Sequence, residues 1–492
     1  MNASLMFCGL IACLLVQIAA QTAPPESEVR SEPARRGGPP QGPMRTNVPS
    51  HRVDVLLSRP EPESISLSVL SSETVEARAG WREASSSAPL RYTPPQRIQA
   101  GEPVLMRMDG LAVDRAYEYA LEALSEGQTE ARLLAAGRFH TPRPAGRPFV
   151  FTVQADSHLD AGIDPEVYLR SLTNVVRAHP DFHVDLGDTF MTDKYPHFTH
   201  ATGQYLAQRY YFGIVGSVAP VFLVLGNHDG ETPGRGRDEM AVWSNGMRKR
   251  YFPNPVPDAF YSGNVEAHPR CGQLENYYAF EWGNALFVML DPYWFSTPVR
   301  REGGSNWNRS LGGDQYRWLQ GVLERSHAAL KFVFIHNLVG GSTSEGRGGA
   351  EASRYFEWGG LELDGRDSFA EHRPGWPLPI HALLVKHRVN VVFHGHDHLY
   401  ARQQRDGMIY QLTPQPGHSR VDQTRSAAEY GYLSGVIQGA SGILRVRVED
   451  RTATIEYVRA YPPALEGTGK RTGEVTDRYQ VGPGVPVSSV PR

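Results

Sequence analysis

Five apolar runs in this chain end in side chains that can bind a metal. Phe149 to Ala155 runs into Asp156-Ser157-His158, and His183 to Leu186 ends in Gly187-Asp188. Val221 to Leu225 ends in Gly226-Asn227-His228-Asp229, and Phe332 to Ile335 ends in His336. Val391 to Phe393 ends in His394-Gly395-His396-Asp397-His398. The groups delivered are carboxylate, carboxamide and imidazole, without Lys or Cys. This hard-to-borderline nitrogen and oxygen set suits divalent or trivalent first-row metals and does not suit a thiolate site. Functional groups of open α/β sheets collect at strand carboxyl ends, where rigid backbone hands over to a loop.

Positioning these groups takes buried strands. The runs are mostly continuous rather than alternating, which means strands covered on both faces. Helix-compatible stretches lie between them, at Glu166 to Ala178, Gln315 to Ala329 and Pro379 to His387. The fold class is therefore α/β, with helices packed outside buried sheets. The region before it has a different grammar. Ile65, Leu67 and Val69 alternate with serines, and Tyr117, Tyr119 and Leu121 alternate with polar residues. Period-two runs broken by Pro and Gly predict a small antiparallel β-sandwich over 51–143. Gly110-Leu111 with Tyr117 resembles the tyrosine-corner segment of a fibronectin type III module, with Val113 and Arg115 at its usual Pro and Thr.

The ordered set D156-S-H158, G187-D188, G226-N-H-D229, H336 and G395-H-D-H398 resembles the DxH, GDx, GNHD, H and GHxH motifs of the calcineurin-like metallophosphoesterases. The resemblance implies a four-layer αββα sandwich over 147–462 and a binuclear metal centre. Asp156, His158 and His398 would hold one metal and Asn227, His336 and His396 the other, with Asp188 bridging both. Two cations about 3.5–4 Å apart need an anion between them, and the water they share becomes a hydroxide nucleophile near neutral pH. His228, held by Asp229, is the implied proton donor to the leaving oxygen.

A sandwich joined to this domain, together with Gly395-His396-Asp397-His398-Leu399-Tyr400-Ala401-Arg402, resembles the purple acid phosphatases and their GHxHxYxR. Those enzymes carry a Tyr three residues after the bridging Asp, where Met191 stands here, and usually lack the His at position 158. A colourless protein is expected, with Fe, Zn or Mn in some divalent or mixed-valence pairing.

The 492 residues carry 50 basic and 53 acidic groups, a net charge of −3. That balance excludes a polycation built to grip nucleic acid, and no nucleic-acid partner is expected. Met1 to Ala20 reads as a secretory signal peptide, which places the protein outside the cytoplasm, secreted or periplasmic. Leu10-Ile11-Ala12-Cys13 resembles a lipoprotein box and makes lipid anchoring through Cys13 the less favoured alternative. No apolar stretch beyond this segment is long enough to span a membrane. Pro, Gly and charge dominate 21–50 and 463–492, which read as a disordered linker and a flexible tail.

Other polar residues near the motifs have plainer readings. Asp291 reads as a turn or cap, and His394 as a packed core histidine or a partner of the ligands. Arg235, Arg237, Arg248 and Arg250 read as a solvated run ahead of a phosphate-binding one. Gly340-Gly341 and Gly346 to Gly349, with Arg347, read as a lid or a surface loop. Trp307, Trp358 and Trp376 either shape a pocket or pack insertions onto the sheet.

The function these residues support is an exported phosphomonoesterase acting on a small phosphorylated substrate. The alternatives are a phosphodiesterase using the same site and, from another class, a non-catalytic cell-surface binding protein.

Overall fold

A computed structural model describes residues 43–124, 131–297, 305–343 and 345–483. The signal-peptide segment, Cys8 and Cys13 lie outside the described residues. No helix among those residues is long and apolar enough to cross a membrane.

The alternating region forms two antiparallel sheets. Strands β1 (Val53–Ser58), β2 (Ser64–Ser71) and β6 (Val104–Asp109) pair in the order β1-β2-β6. Strands β3 (Val75–Glu83), β4 (Arg91–Tyr92), β5 (Gln96–Ile98), β7 (Ala116–Leu124) and β8 (Arg132–His140) make the other sheet. Ile65, Leu67, Val69, Ala79, Trp81, Tyr119 and Leu121 fill the space between them. The Tyr117 hydroxyl accepts a hydrogen bond from the Ala112 amide at 2.8 Å, tying the strand to the turn before it.

The serines on the other face of β2 do not meet water. Ser64, Ser66 and Ser68 are buried, and Ser68 meets a helix of the following unit. From that helix, α2 (Thr202–Gly216), the Arg209 guanidinium donates to Ser68 Oγ and O, Asp54 O and Tyr251 O at 2.8–3.2 Å. Tyr119 donates to Ser217 O, just past the helix end, at 3.0 Å. The sandwich is thus mortised to the back of α2.

The second unit has two sheets face to face. The first runs β11-β10-β9-β22-β23-β24 and comprises β9 (Phe149–Gln154), β10 (Phe182–Asp185), β11 (Val221–Leu223), β22 (Gly442–Glu449), β23 (Thr452–Arg459) and β24 (Val475–Val481). The second runs β12-β15-β16-β17-β18-β20-β19-β21. Its strands are β12 (Ser262–Gly263), β15 (Tyr278–Trp282), β16 (Ala285–Met289), β17 (Leu330–Phe334), β18 (Val391–His394), β19 (Leu399–Arg405), β20 (Met408–Leu412) and β21 (Val436–Gly439). A separate hairpin pairs β13 (Ala267–His268) with β14 (Gly272–Gln273). Strands β9, β10 and β11 are mutually parallel, as are β16, β17, β18 and β20, so their carboxyl ends open on common edges.

Continuous apolarity is explained by two different covers. Phe332 and Phe334 point into the aromatic layer between the sheets, with Phe151, Phe182, Phe287 and Phe393. Val333 and Ile335 point outward under α3 (Gly313–Arg325) and α4 (Ile380–Lys386). The outer face of the first sheet lies under α1 (Pro165–Arg177) and α2. Helix α1 starts where Asp164 accepts from the Glu166 and Val167 amides, with Pro165 in the first turn. The result is the four-layer αββα arrangement.

Two boundary expectations need correction. The segment 463–492 is not a flexible tail through its described part. Strand β24 closes the first sheet, with Tyr479 and Val481 buried in the inter-sheet layer, and this satisfies the outer edge of β23. The linker 21–50 is not a free tether at its end either. The Arg45 amide donates to Leu159 O at 2.6 Å, and Val48 packs against the α1–α2 cluster.

Candidate metal centre

Every candidate ligand position sits two to four residues past the end of a strand. Asp156 and His158 follow β9, Asp188 follows β10, Asn227 follows β11, His336 follows β17, and His396 and His398 follow β18. The loops are tightly wound. Asp156, Asp188, His396 and His398 all have positive φ, between 54° and 77°. Left-handed backbone is costly for such residues and persists only where the surroundings enforce it. The glycines preceding the ligands permit the approach. A Cβ on Gly187 would lie 2.3 Å from Gly226 N, and one on Gly226 would lie 1.9 Å from Asp188 N.

The structure brings the donors into two adjoining groups, Asp156, His158 and His398 in one and Asp188, His336 and His396 in the other. In the first, His158 Nε2 is 3.1 Å from His398 Nε2, which is 3.4 Å from Asp156 Oδ1. In the second, His336 Nε2 is 3.2 Å from Asp188 Oδ2. His336 Nε2 also lies 3.9 Å from Asp156 Oδ1, so the groups share a boundary. Asn227 has an Oδ1 shielded from solvent and without a hydrogen-bond partner, whereas Asp156 Oδ1 and His336 Nε2 are met only by the ion-pair contacts just given. Unsatisfied buried polar atoms are rare and costly, and Asn227 directly precedes His228, whose amide donates to Asp188 Oδ1 at 2.7 Å. The residues present fit a pair of cations.

Surrounding groups set which ring nitrogen faces the centre. His336 Nδ1 lies 2.8 Å from Leu186 O, so it carries the proton and leaves Nε2 as the lone pair. Asp160 Oδ2 holds His158 Nδ1 at 3.3 Å, with the same consequence. His396 Nε2 lies 3.2 Å from Glu345 O, which leaves Nδ1.

The charges answer one another. Burial pushes the Asp188 carboxyl up, but His336 and His228 outweigh it and hold it well below the ordinary range. Burial opposes charge on His336, yet Asp188 and Asp156 raise it to about 10. In the absence of metal, protons on imidazole neutralise these carboxylates. Metal binding must displace them.

His228 approaches this centre from the side. Its amide donates to Asp188 Oδ1 at 2.7 Å, and its Nε2 lies 3.9 Å from Asp188 Oδ2. The residue expected to hold it, Asp229, does not. The buried Asp229 carboxylate accepts instead from the amides of Asp188, Thr189, Phe190 and Gly226 at 2.7–3.2 Å, clamping the two ligand loops together. Adjacent residues in a tight turn point apart, so the two side chains cannot meet. The partner of His228 is Asp193, whose Oδ1 lies 3.0 Å from Nδ1. Sequence reasoning missed Asp193, and its only signal was a carboxylate in the loop that follows Gly187-Asp188.

Other polar residues take the plainer roles. Asp291 Oδ1 accepts from the Tyr293 and Trp294 amides, a turn. His394 is buried and stacked on Tyr432. Arg248 is not part of a solvated run, being buried on Glu231 at 2.6 Å. Trp358 lies in the outer core, Trp376 stacks on Tyr316 at 3.8 Å, and Trp307 packs with Phe356 and Phe369, so all three anchor insertions. Beside Asp193, a cavity of about 250 Å³ is lined by Tyr195, His197, Phe198, Arg237 and Met240 among others.

Comparison with known proteins agrees with this fold. Among solved structures, PhoD superposes with a TM-score of 0.60 at 14% identity, covering 87% of this chain and 89% of that one. The purple acid phosphatase PPD1 from yellow lupin (Lupinus luteus) seeds superposes with a TM-score of 0.58 at 14% identity, covering 88% of this chain and 74% of that one. No curated protein matches the chain in sequence. The family model for calcineurin-like phosphoesterases matches residues 149–400, the span that contains every ligand position, and the chain belongs to that family.

Proposed function

We propose that this protein is an exported hydrolase of phosphomonoesters with a binuclear metal centre of Fe, Zn or Mn. The observation that carries the reading is the gathering of six donors, Asp156, His158, His398, Asp188, His336 and His396, into two adjoining groups, with the His228–Asp193 pair beside Asp188. Asp156, His158 and His398 would hold one cation, Asn227, His336 and His396 the other, and Asp188 both. Bound there, two cations supply a nucleophile at neutral pH and neutralise the phosphoryl oxygens.

The chain's own residues do the rest. His228 Nε2 faces the centre and donates a proton to the leaving oxygen, while Asp193 fixes the ring and offsets its charge. Asp229 holds the loops of Asp188 and Asn227 in one register. The cavity beside Asp193 gives room for an organic group next to the proton donor. Likeness to a purple acid phosphatase supports the monoester class, and Met191 in place of a tyrosine supports a colourless centre. The apolar start of the sequence supports export.

Turnover of p-nitrophenyl phosphate against bis-p-nitrophenyl phosphate tests the reading. The monoester should be preferred. Preference for the diester would replace it with a phosphodiesterase, and no turnover of either by the metal-loaded protein would return the case to a binding protein.

A further inference from the structure

The glycine-rich insertion after His336 is fastened to the metal centre rather than poised above it. Ser342 N donates to Arg347 O at 2.8 Å, and a Cβ on Gly341 would lie 2.2 Å from the Gly346 carbonyl carbon, so the loop closes on itself. We propose that Arg347, through this loop, is the positioning residue for His396 and thereby for the second cation. The inference rests on the two-cation reading above.

Arg347 Nη1 donates to the His396 carbonyl at 3.1 Å and to Asp397 Oδ1 at 2.8 Å. The other Asp397 oxygen is taken by the Gly348 amide at 3.0 Å and the Tyr432 hydroxyl at 2.7 Å. Arg347 Nε donates to Glu345 Oε2 at 2.9 Å, and its guanidinium lies 4.2 Å from the centroid of the Tyr430 ring. Nε and Nη1 are thus engaged inside the protein. The same arginine also sets both ends of His396. It fastens the carbonyl of a residue held at φ 77°, a conformation that must be enforced from outside. It fastens Glu345, whose carbonyl fixes the His396 ring through Nε2. Groups that orient a metal-binding imidazole in this way are typically worth about 10–100-fold in metal affinity. His158 and His336 are oriented by Asp160 and Leu186 instead, so the effect falls on His396.

The test is zinc binding by the full-length protein, read by competition with a chromophoric chelator and by metal analysis. His158→Ala and His336→Ala first identify the two affinity classes, each abolishing one. Arg347→Met should weaken the class that His336→Ala abolishes by about 10–100-fold and leave the other within about threefold. Arg347→Lys keeps a charge beside Asp397 and serves where the Met variant does not fold. One ammonium cannot reach His396, Asp397 and Glu345 together, so it should weaken the same class by a smaller factor. Unchanged affinity in a folded variant, or equal weakening of both classes, would overturn the role of Arg347 alone. A wild-type protein that binds fewer than two zinc ions would overturn the two-cation reading itself.

Discussion

Replacing Asp193 by Asn tests the proton donor without touching a ligand. The amide keeps the shape of the side chain and can still accept the His228 Nδ1 proton across the 3.0 Å contact. What disappears is the charge. A hydrogen bond to a charged group contributes about 1.5–3 kcal/mol and a neutral one about 0.5–1.5. The difference, about 1–2 kcal/mol, corresponds to about 5–30-fold in rate. It should appear only where a proton must be given in the transition state. General acid catalysis as a whole contributes about 10²–10⁴-fold, so His228→Ala should cost more than Asp193→Asn on the same substrate.

The assay is kcat/KM across a series of aryl and alkyl phosphates of rising leaving-group pKa. The wild type should show a shallow dependence, and both variants a steeper one. With p-nitrophenyl phosphate, whose leaving group needs no proton, Asp193→Asn should stay within about twofold of wild type. In a His228→Ala background, Asp193→Asn should change nothing further, because it acts only through that ring. Parallel lines, with every substrate slowed equally, would refute the reasoning and make Asp193 a loop-shaping residue. So would a further loss in the double variant.

Asp188→Asn should strip metal from the purified protein and lower turnover by several orders of magnitude, and metal analysis that still finds both ions would exclude its bridging role. Arg209→Met leaves the carbonyls of Asp54, Ser68 and Tyr251 without their donor. It should destabilise by about 1–3 kcal/mol for each carbonyl left unsatisfied and separate the sandwich and catalytic transitions in urea, where a single unshifted transition would contradict the mortise. Asp291 carries a pH signature. Burial pushes its carboxyl up to about 7 although Asn276, Tyr293 and Trp294 donate to it. A carboxyl raised on folding contributes stability below its ordinary 3.8 and loses it as pH rises toward 7. Asp291→Asn removes that slope, so between pH 4 and pH 7 the variant should gain on wild type by up to about 1.4 kcal/mol per pH unit. A constant difference in urea midpoint across that range would count against it.

The candidate ligand positions are legible because two independent signals coincide at each. A strand buried on both faces must read as unbroken apolarity, and any polar group directly after it is placed by that strand. Phe332 to Ile335 shows the mechanism, since alternate side chains enter two different cores and neither face tolerates polarity. His336 then needs no further argument to be interior. Asp193 had no such signal. It meets His228 across two loops, and nothing in Thr192-Asp193-Lys194 fixes a direction for its side chain.

The sandwich and the tail show a different limit, one inherent in period-two patterns. Alternation says that one face of a strand is polar but does not say what the polar face meets. In β2 the serines alternating with the apolar residues are buried, and Ser68 receives a buried guanidinium from α2. Burial pulls the Arg209 pKa down to about 10, which still leaves it charged, so the polar face of β2 serves as the solvent for that charge. From the same helix, Gln208 Nε2 donates to Ser157 O at 2.8 Å and to Thr189 O at 3.0 Å, beside Asp156 and Asp188. The path from sandwich to ligand loop is therefore one helix wide. A pattern that looks like surface in the sequence is the footing of the metal centre, and deleting the sandwich should loosen the ligand loops rather than merely shorten the protein.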